Sequence, residues 1–203
     1  MEAPLGVPLL LTQTTPTMSQ EFHQRTERVR RLYAARGTRH YGEGVSQTQH
    51  AVQCYNLASA AGAQLELRIA AFVHDLGHLL VPEKNHGFDM NHEELGSEWL
   101  KSRGFCTEVV QLVSSHVWAK RYLAANPEYY NQLSDASKIS LEHQGGLLTE
   151  SERTEKESLT YFNDALNLRR WDDLAKDSSD LNSHQIPQHV WADFAKYDQK
   201  NPL

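Results

Sequence analysis

A bundle of α-helices without a sheet is the fold the sequence predicts, and three observations predict it. Apolar residues recur three and four apart over successive stretches. Several of these stretches begin with cap residues, and no run alternates apolar and polar residues as a half-buried strand would. No internal repeat, heptad seam or linker composition interrupts the series, so residues 19–203 are expected to form one compact domain.

The first helix is expected from Ser19 to Arg36, with Phe22, Val29, Leu32 and Tyr33 on one stripe and Gly37 as its terminator. Ser46-Gln47-Thr48-Gln49 has the form of a capping box, in which the serine hydroxyl and the glutamine amide serve first-turn backbone groups. A second helix should run from there to about Gly62. Leu65 to Leu76 is apolar on nearly all sides, which predicts a central, buried helix ending at His74-Asp75-Leu76-Gly77-His78. Beyond a long loop through Pro82 and Gly87, Asn91 is the expected cap of a helix carrying Leu95, Trp99 and Leu100 and stopping at Gly104. Thr107 opens a helix with Val110, Val113 and Val117, and short pieces are expected around Tyr122, around Tyr129 and from Ser134 to His143. Thr149-x-x-Glu152 is a second capping signature, with helix expected to about Lys176 through Leu159, Phe162, Leu166 and Trp171. A last amphipathic segment after Pro187 uses Val190, Trp191, Phe194 and Tyr197.

Composition narrows the function. The 203 residues are 39% hydrophobic and 23% charged, as in ordinary globular chains, and the formal net charge of -6 offers no broad attraction to nucleic acid or to an anionic membrane. An anionic substrate must therefore be held locally. Leu5 to Leu11 resembles a short signal core, but Glu2 stands where a positive flank belongs and no small-residue cleavage site follows, so a cytoplasmic protein is expected. Residues 1–18, with a Thr/Pro-rich stretch, read as an unstructured extension, and Met18 is an alternative start. Cys54 and Cys106 lack metal-type spacing and read as buried, reduced thiols.

The chemistry starts at His74-Asp75. An ionisable pair at the end of an apolar helix costs several kcal/mol unless its charges are paired or bound to metal. The dipeptide alone is weak, but His50, His92 and His116 recur at comparable places on helices. Four imidazoles, Asp75 and a later carboxylate suffice for two metal ions bridged by Asp75, about 3.5–4 Å apart. Spacing alone does not separate Asp172 from Asp173 as that later carboxylate.

The series His50, His74-Asp75, His92, His116 and Asp172 resembles the HD-domain arrangement with two additional histidines for a second metal. Tyr41-Gly42-Glu43, Gln47-x-x-His50, His74-Asp75-Leu76-Gly77-His78, His116-x-x-x-Lys120-Arg121-Tyr122-Leu123, Leu133-Ser134-Asp135-Ala136-Ser137, Leu141-Glu142-x-Gln144-Gly145-Gly146 and Arg170-Trp171-Asp172 resemble the bacterial di-iron oxygenases that cleave 2-amino-1-hydroxyethylphosphonate. These are related in chemistry to inositol oxygenase, and the resemblance covers about residues 20–198. It implies two iron ions as an Fe(II)/Fe(III) pair, O2 as co-substrate, and cleavage of a carbon–phosphorus bond to glycine and phosphate.

The resemblance also implies roles. His50, His74, Asp75 and Asp172 would bind one iron, and Asp75, His92 and His116 the other, the Arg-Trp-Asp string selecting Asp172 over Asp173. His78 and Lys120, four residues after His74 and His116, would contact substrate, as would Ser137 and Gln144 through the phosphonate. Tyr41 would gate the iron and Glu43 approach the substrate's amine, although Tyr41 and Glu43 stand closer together than in the family pattern, and His40 is a competitor for the gate. The trimethylammonio analogue of the substrate and a metal-dependent phosphohydrolase remain the alternatives. His23, His86, His143, His184 and His189 are expected on loops or polar helix faces.

Overall fold

The computed structural model describes residues 18–40, 44–81, 91–179 and 185–202, the side chains of 18–23 excepted. Among the described residues there are eleven α-helices and no strand; His40 and Ser46 form an isolated antiparallel bridge. The helices are α1 (Met18–Arg36), α2 (Gln47–Ala60), α3 (Leu65–Val73), α4 (Leu76–Leu80), α5 (His92–Lys101), α6 (Thr107–Leu123), α7 (Pro127–Gln132), α8 (Asp135–His143), α9 (Glu150–Glu157), α10 (Phe162–Leu174) and α11 (Gln188–Lys200). No described helix is long and apolar enough to cross a membrane.

Both capping boxes form. Ser46 Oγ accepts from the Gln49 backbone N–H at 3.2 Å while Gln49 Oε1 accepts from the Ser46 N–H at 2.8 Å, and Thr149 and Glu152 repeat the pattern at α9. Each box satisfies two amides that a helix start leaves without intrahelical partners. The core follows from α3, whose Ile69 to Val73 are fully buried. α6 packs against α3, α5 and α10, α2 against α3 and α10, and α11 against α1 and α3. Phe72 is the hub: its ring meets Tyr33, Phe194 and Trp191 at centroid separations of 4.8, 5.6 and 5.8 Å.

Four local departures from the sequence reading have physical causes. α3 stops at Val73 rather than Leu76, because His74 and Asp75 form a turn, with Asp75 at φ -93 and ψ 8, before α4 resumes the helix. Asn91 sits at the expected cap position in a left-handed conformation (φ 53), and its amide donates to Glu94 instead of its oxygen accepting a first-turn N–H. Tyr122 belongs to α6, since no breaker intervenes before Asn126-Pro127. The 149–176 region is two helices, α9 and α10.

Candidate metal centre

The turn at His74-Asp75 lies where α2, α5, α6 and α10 converge. Gly77 makes the approach of α5 possible: a Cβ there would run into the backbone carbonyl of His92. With no side chain at Gly77, the first turn of α5 comes down onto α4, and the His78 ring stacks on the His92 ring at 4.1 Å.

The geometry is centred on Asp75. His74, His92 and His116 each bring Nε2 to 3.5 Å from Asp75 Oδ1, and His50 Nε2 lies 3.5 Å from Asp75 Oδ2. Asp172 Oδ1 lies 3.3 Å from His50 Nε2 and 3.7 Å from His74 Nε2. All six side chains are buried. The six residues singled out as ligands thus come together from four helices and the α3–α4 turn.

Hydrogen bonds behind the rings fix how the nitrogens are used. His50 Nδ1 is 2.8 Å from the Ala175 carbonyl, His74 Nδ1 3.0 Å from that of Ala71, and His116 Nδ1 2.7 Å from that of Val113. A carbonyl only accepts, so each Nδ1 carries the hydrogen and each neutral ring turns the Nε2 lone pair inward. His50 and His74 then aim two lone pairs at each other across 3.2 Å. With both rings neutral such an arrangement is repulsive, and a positive charge on the Nε2 side, a proton or a metal ion, relieves it. The electrostatics agree: burial pulls the His74 imidazole down, but Asp75 and Asp172 outweigh it and raise it to about 9. His116 is pushed well below its ordinary value by burial and by the His92 and His74 rings. Burial would raise Asp75 and Asp172, yet neighbouring imidazoles, and Arg169 for Asp172, hold both carboxyls well below the usual range. With a metal ion supplying the positive charge that the carboxylates favour here, the donor set is neutral imidazole plus carboxylate, which suits iron, manganese or zinc.

Cys54, one turn beyond His50, lies within 4.8 Å of the His50 and His74 ligand atoms. Burial, with Asp172 and Asp75 adding to it, pushes its thiol well above the ordinary value, so it stays protonated and is a poor ligand.

Sequence spacing left Asp172 and Asp173 unresolved, and the structure gives them different partners. Asp172 Oδ2 accepts from Arg169 Nη1 at 2.7 Å, leaving Oδ1 toward the histidines. Asp173 pairs with Nε and Nη2 of the same guanidinium and accepts from the Tyr129 hydroxyl.

Lys120 is buried one turn past His116 and donates to Ser140 Oγ at 2.7 Å. Ser137, on the same helix, is buried and accepts from Lys176 Nζ at 3.2 Å. Gln144 is half-buried at the C-cap of α8. The sequence reading missed Ser140, Lys176 and Arg169. Tyr41, Glu43, His86 and His184 lie outside the described residues; His40, His143 and His189 are exposed.

A buried histidine–aspartate pair at a helix break, ringed by further imidazoles, defines a metal-binding helical domain of the HD type. The chain belongs to the HD-domain family, whose sequence profile matches residues 48–159. Within it the chain stands with the HD-domain phosphonate oxygenases. It is 42% identical over 146 residues to hydroxymethylphosphonate dioxygenase of Gimesia maris, covering 69% of this chain and 72% of that one. It is 34% identical over 151 residues to the glycine-betaine-forming 1-hydroxy-2-(trimethylamino)ethylphosphonate dioxygenase of Leisingera caerulea, covering 71% and 76%. An uncharacterized protein of Acanthamoeba polyphaga mimivirus is 37% identical over 147 residues, covering 69% and 67%.

Proposed function

We propose that the chain is an iron- and O2-dependent dioxygenase that cleaves the carbon–phosphorus bond of a 1-hydroxyphosphonate, with 2-amino-1-hydroxyethylphosphonate as substrate and glycine and phosphate as products. One observation carries the reading: His92 and His116 join His74 on the same Asp75 oxygen, each at 3.5 Å, giving donors for two cations bridged by one carboxylate. The two relatives whose names record phosphonate dioxygenases support it.

His50, His74, Asp75 and Asp172 would hold one iron, and Asp75, His92 and His116 the other. The Fe(II)/Fe(III) pair supplies O2 activation and Lewis acidity toward the substrate hydroxyl. The reaction needs no external reductant. Substrate and O2 give glycine, hydrogen phosphate and a proton: the hydroxyl-bearing carbon is oxidised to carboxylate, the carbon–phosphorus bond breaks, and both atoms of O2 enter the products. The chain's own residues bind and orient. Lys120 brings a buried ammonium to the phosphonate, which favours a charge-assisted bond in a site sheltered from water. Ser137 and Gln144 would contact the phosphonate, and His78, whose ring stacks on that of His92, would contact substrate. Tyr41 is the proposed gate and Glu43 the partner of the substrate's ammonium, with residues 1–18 an extension outside a catalytic domain of residues 19–203.

The test is phosphate release by the iron-loaded enzyme from 2-amino-1-hydroxyethylphosphonate, with and without O2. Stoichiometric O2 uptake with glycine is expected, and cleavage of a phosphomonoester under anaerobic conditions would overturn the reading in favour of a hydrolase. Hydroxymethylphosphonate is the second substrate to assay, since the 42% identical relative is named for it.

A further inference from the structure

We infer that Arg169 is a positioning residue that restricts Asp172 to a one-oxygen contact with the metal centre, and that Asp173 and Tyr129 hold Arg169 in that role. The inference rests on the metal-centre reading above. It starts from a geometric limit. A guanidinium offers a planar fork, and a free Arg–carboxylate pair prefers two parallel bonds. Here Asp173 takes the paired contact through Nε and Nη2, with the Tyr129 hydroxyl closing on the same Asp173 oxygen and 3.2 Å from Arg169 Nε. Only Nη1 then reaches Asp172, at 2.7 Å on Oδ2.

The consequence falls on Asp172 Oδ1. With Oδ2 tied back, the carboxylate turns a single oxygen to His50 and His74, at 3.3 and 3.7 Å. Without Arg169 the carboxylate would be free to rotate, and Oδ1 would no longer be held toward the His50 and His74 nitrogens. Without Asp173 the fork would be free to swing onto Asp172 and draw both oxygens away. Adjacent aspartates on one helix thus have opposite tasks, one toward the metal and one toward the arginine. Tyr129 is on α7, next to the α8 helix that carries Ser137, so the clamp also ties that wall to the ligand set.

The experiment is a Co(II) titration of the full chain with a competing chelator, resolving two equivalents of metal. His50→Ala and His116→Ala mark which equivalent is which. Arg169→Met is expected to weaken the His50-side equivalent about 10- to 100-fold, as loss of a group behind a ligand does, and to leave the other within about threefold. Asp173→Asn should weaken the same equivalent by less. The double variant should match Arg169→Met alone, because Asp173 acts only through the arginine. Far-UV dichroism and melting of the metal-free variants separate a selective metal effect from a folding defect, and Asp173→Asn and Tyr129→Phe stand in if Arg169→Met does not fold. Both equivalents keeping wild-type affinity in Arg169→Met and Asp173→Asn would overturn the inference while leaving the metal centre standing. If His50→Ala and His116→Ala also bind both equivalents unchanged, the metal centre falls and the inference with it.

Discussion

Among the described residues, two of the buried polar clusters solve the problem of burying charge in opposite ways. Between α1 and α11, Arg25 donates to Asp198 Oδ1 and to the Gly104 carbonyl, both at 2.5 Å, and to the Asn201 carbonyl, while Thr26 donates to Asp198 Oδ2 at 2.5 Å. The Tyr197 and Phe105 rings lie 5.1 and 5.8 Å from the guanidinium carbon. Donors there meet acceptors supplied by the chain itself. At the His/Asp cluster, by contrast, imidazole Nε2 atoms face one another in two pairs and the carboxylates are shared among four imidazoles. A buried cluster that is complete without a ligand reads as architecture, and one that needs a cation reads as a site.

Breaking the site should therefore cost function, and breaking the Arg25–Asp198 cluster should cost stability. Asp75→Asn has the largest expected effect: it keeps the shape but removes the charge that four histidines surround. Bound metal should fall below one per chain by elemental analysis and phosphate release by at least about a thousandfold, since even a group behind a ligand is worth about 10–100-fold. Removing metal from the wild type comes next. Mass action at 100 times Kd gives about 2.7 kcal/mol for each site, so chelation of both should lower the melting temperature by roughly 10–20 degrees. Arg25→Met should destabilise by about 3 kcal/mol, because Asp198 is left buried without its counter-charge, yet bind metal with wild-type stoichiometry. The chelation shift should be the same in Arg25→Met as in wild type, the two clusters being independent; a smaller shift would show that the Arg25 cluster and the site communicate.

The two clusters also differ in how much of them was legible in the sequence. Capping boxes at Ser46 and Thr149 and the all-round apolar run of α3 were readable because helix starts and buried helices are determined locally. The stop at Val73 was not, since neither glycine nor proline precedes it; close contact between Gly77 and the His92 backbone accompanies the turn, and that contact joins segments with no local signal. The histidines and Asp75 stood out because ionisable residues on apolar helices are costly. Asp172 and Asp173 did not separate, because their difference lies in partners, His50 at 122 positions away and Tyr129 at 44. Arg169 had one usable signal, an arginine three and four residues ahead of two aspartates on a helix, but that pattern equally describes a solvated face. Lys176 and Ser140 are common surface types whose contacts are set by tertiary packing.

A further buried carboxylate sharpens the contrast at the smallest scale. Asp193 on α11 accepts from the Tyr55 hydroxyl at 2.7 Å and from Arg68 Nη2 at 2.6 Å, joining α11 to α2 and α3. Burial would raise its carboxyl, but bonds from Tyr55, Arg68 and Lys196 outweigh that and hold it below its ordinary value. A carboxyl depressed in the folded state contributes stability above its unfolded value, about 3.9, and loses it as pH falls through the lower folded value. Urea midpoints of the chelated protein should therefore fall more steeply below about pH 4 in wild type than in Asp193→Asn. Because the partners of Asp193 belong to the chain, this difference should persist unchanged when metal is restored. A difference that vanished with metal would place Asp193 under the influence of the site and blur the division between the two kinds of cluster.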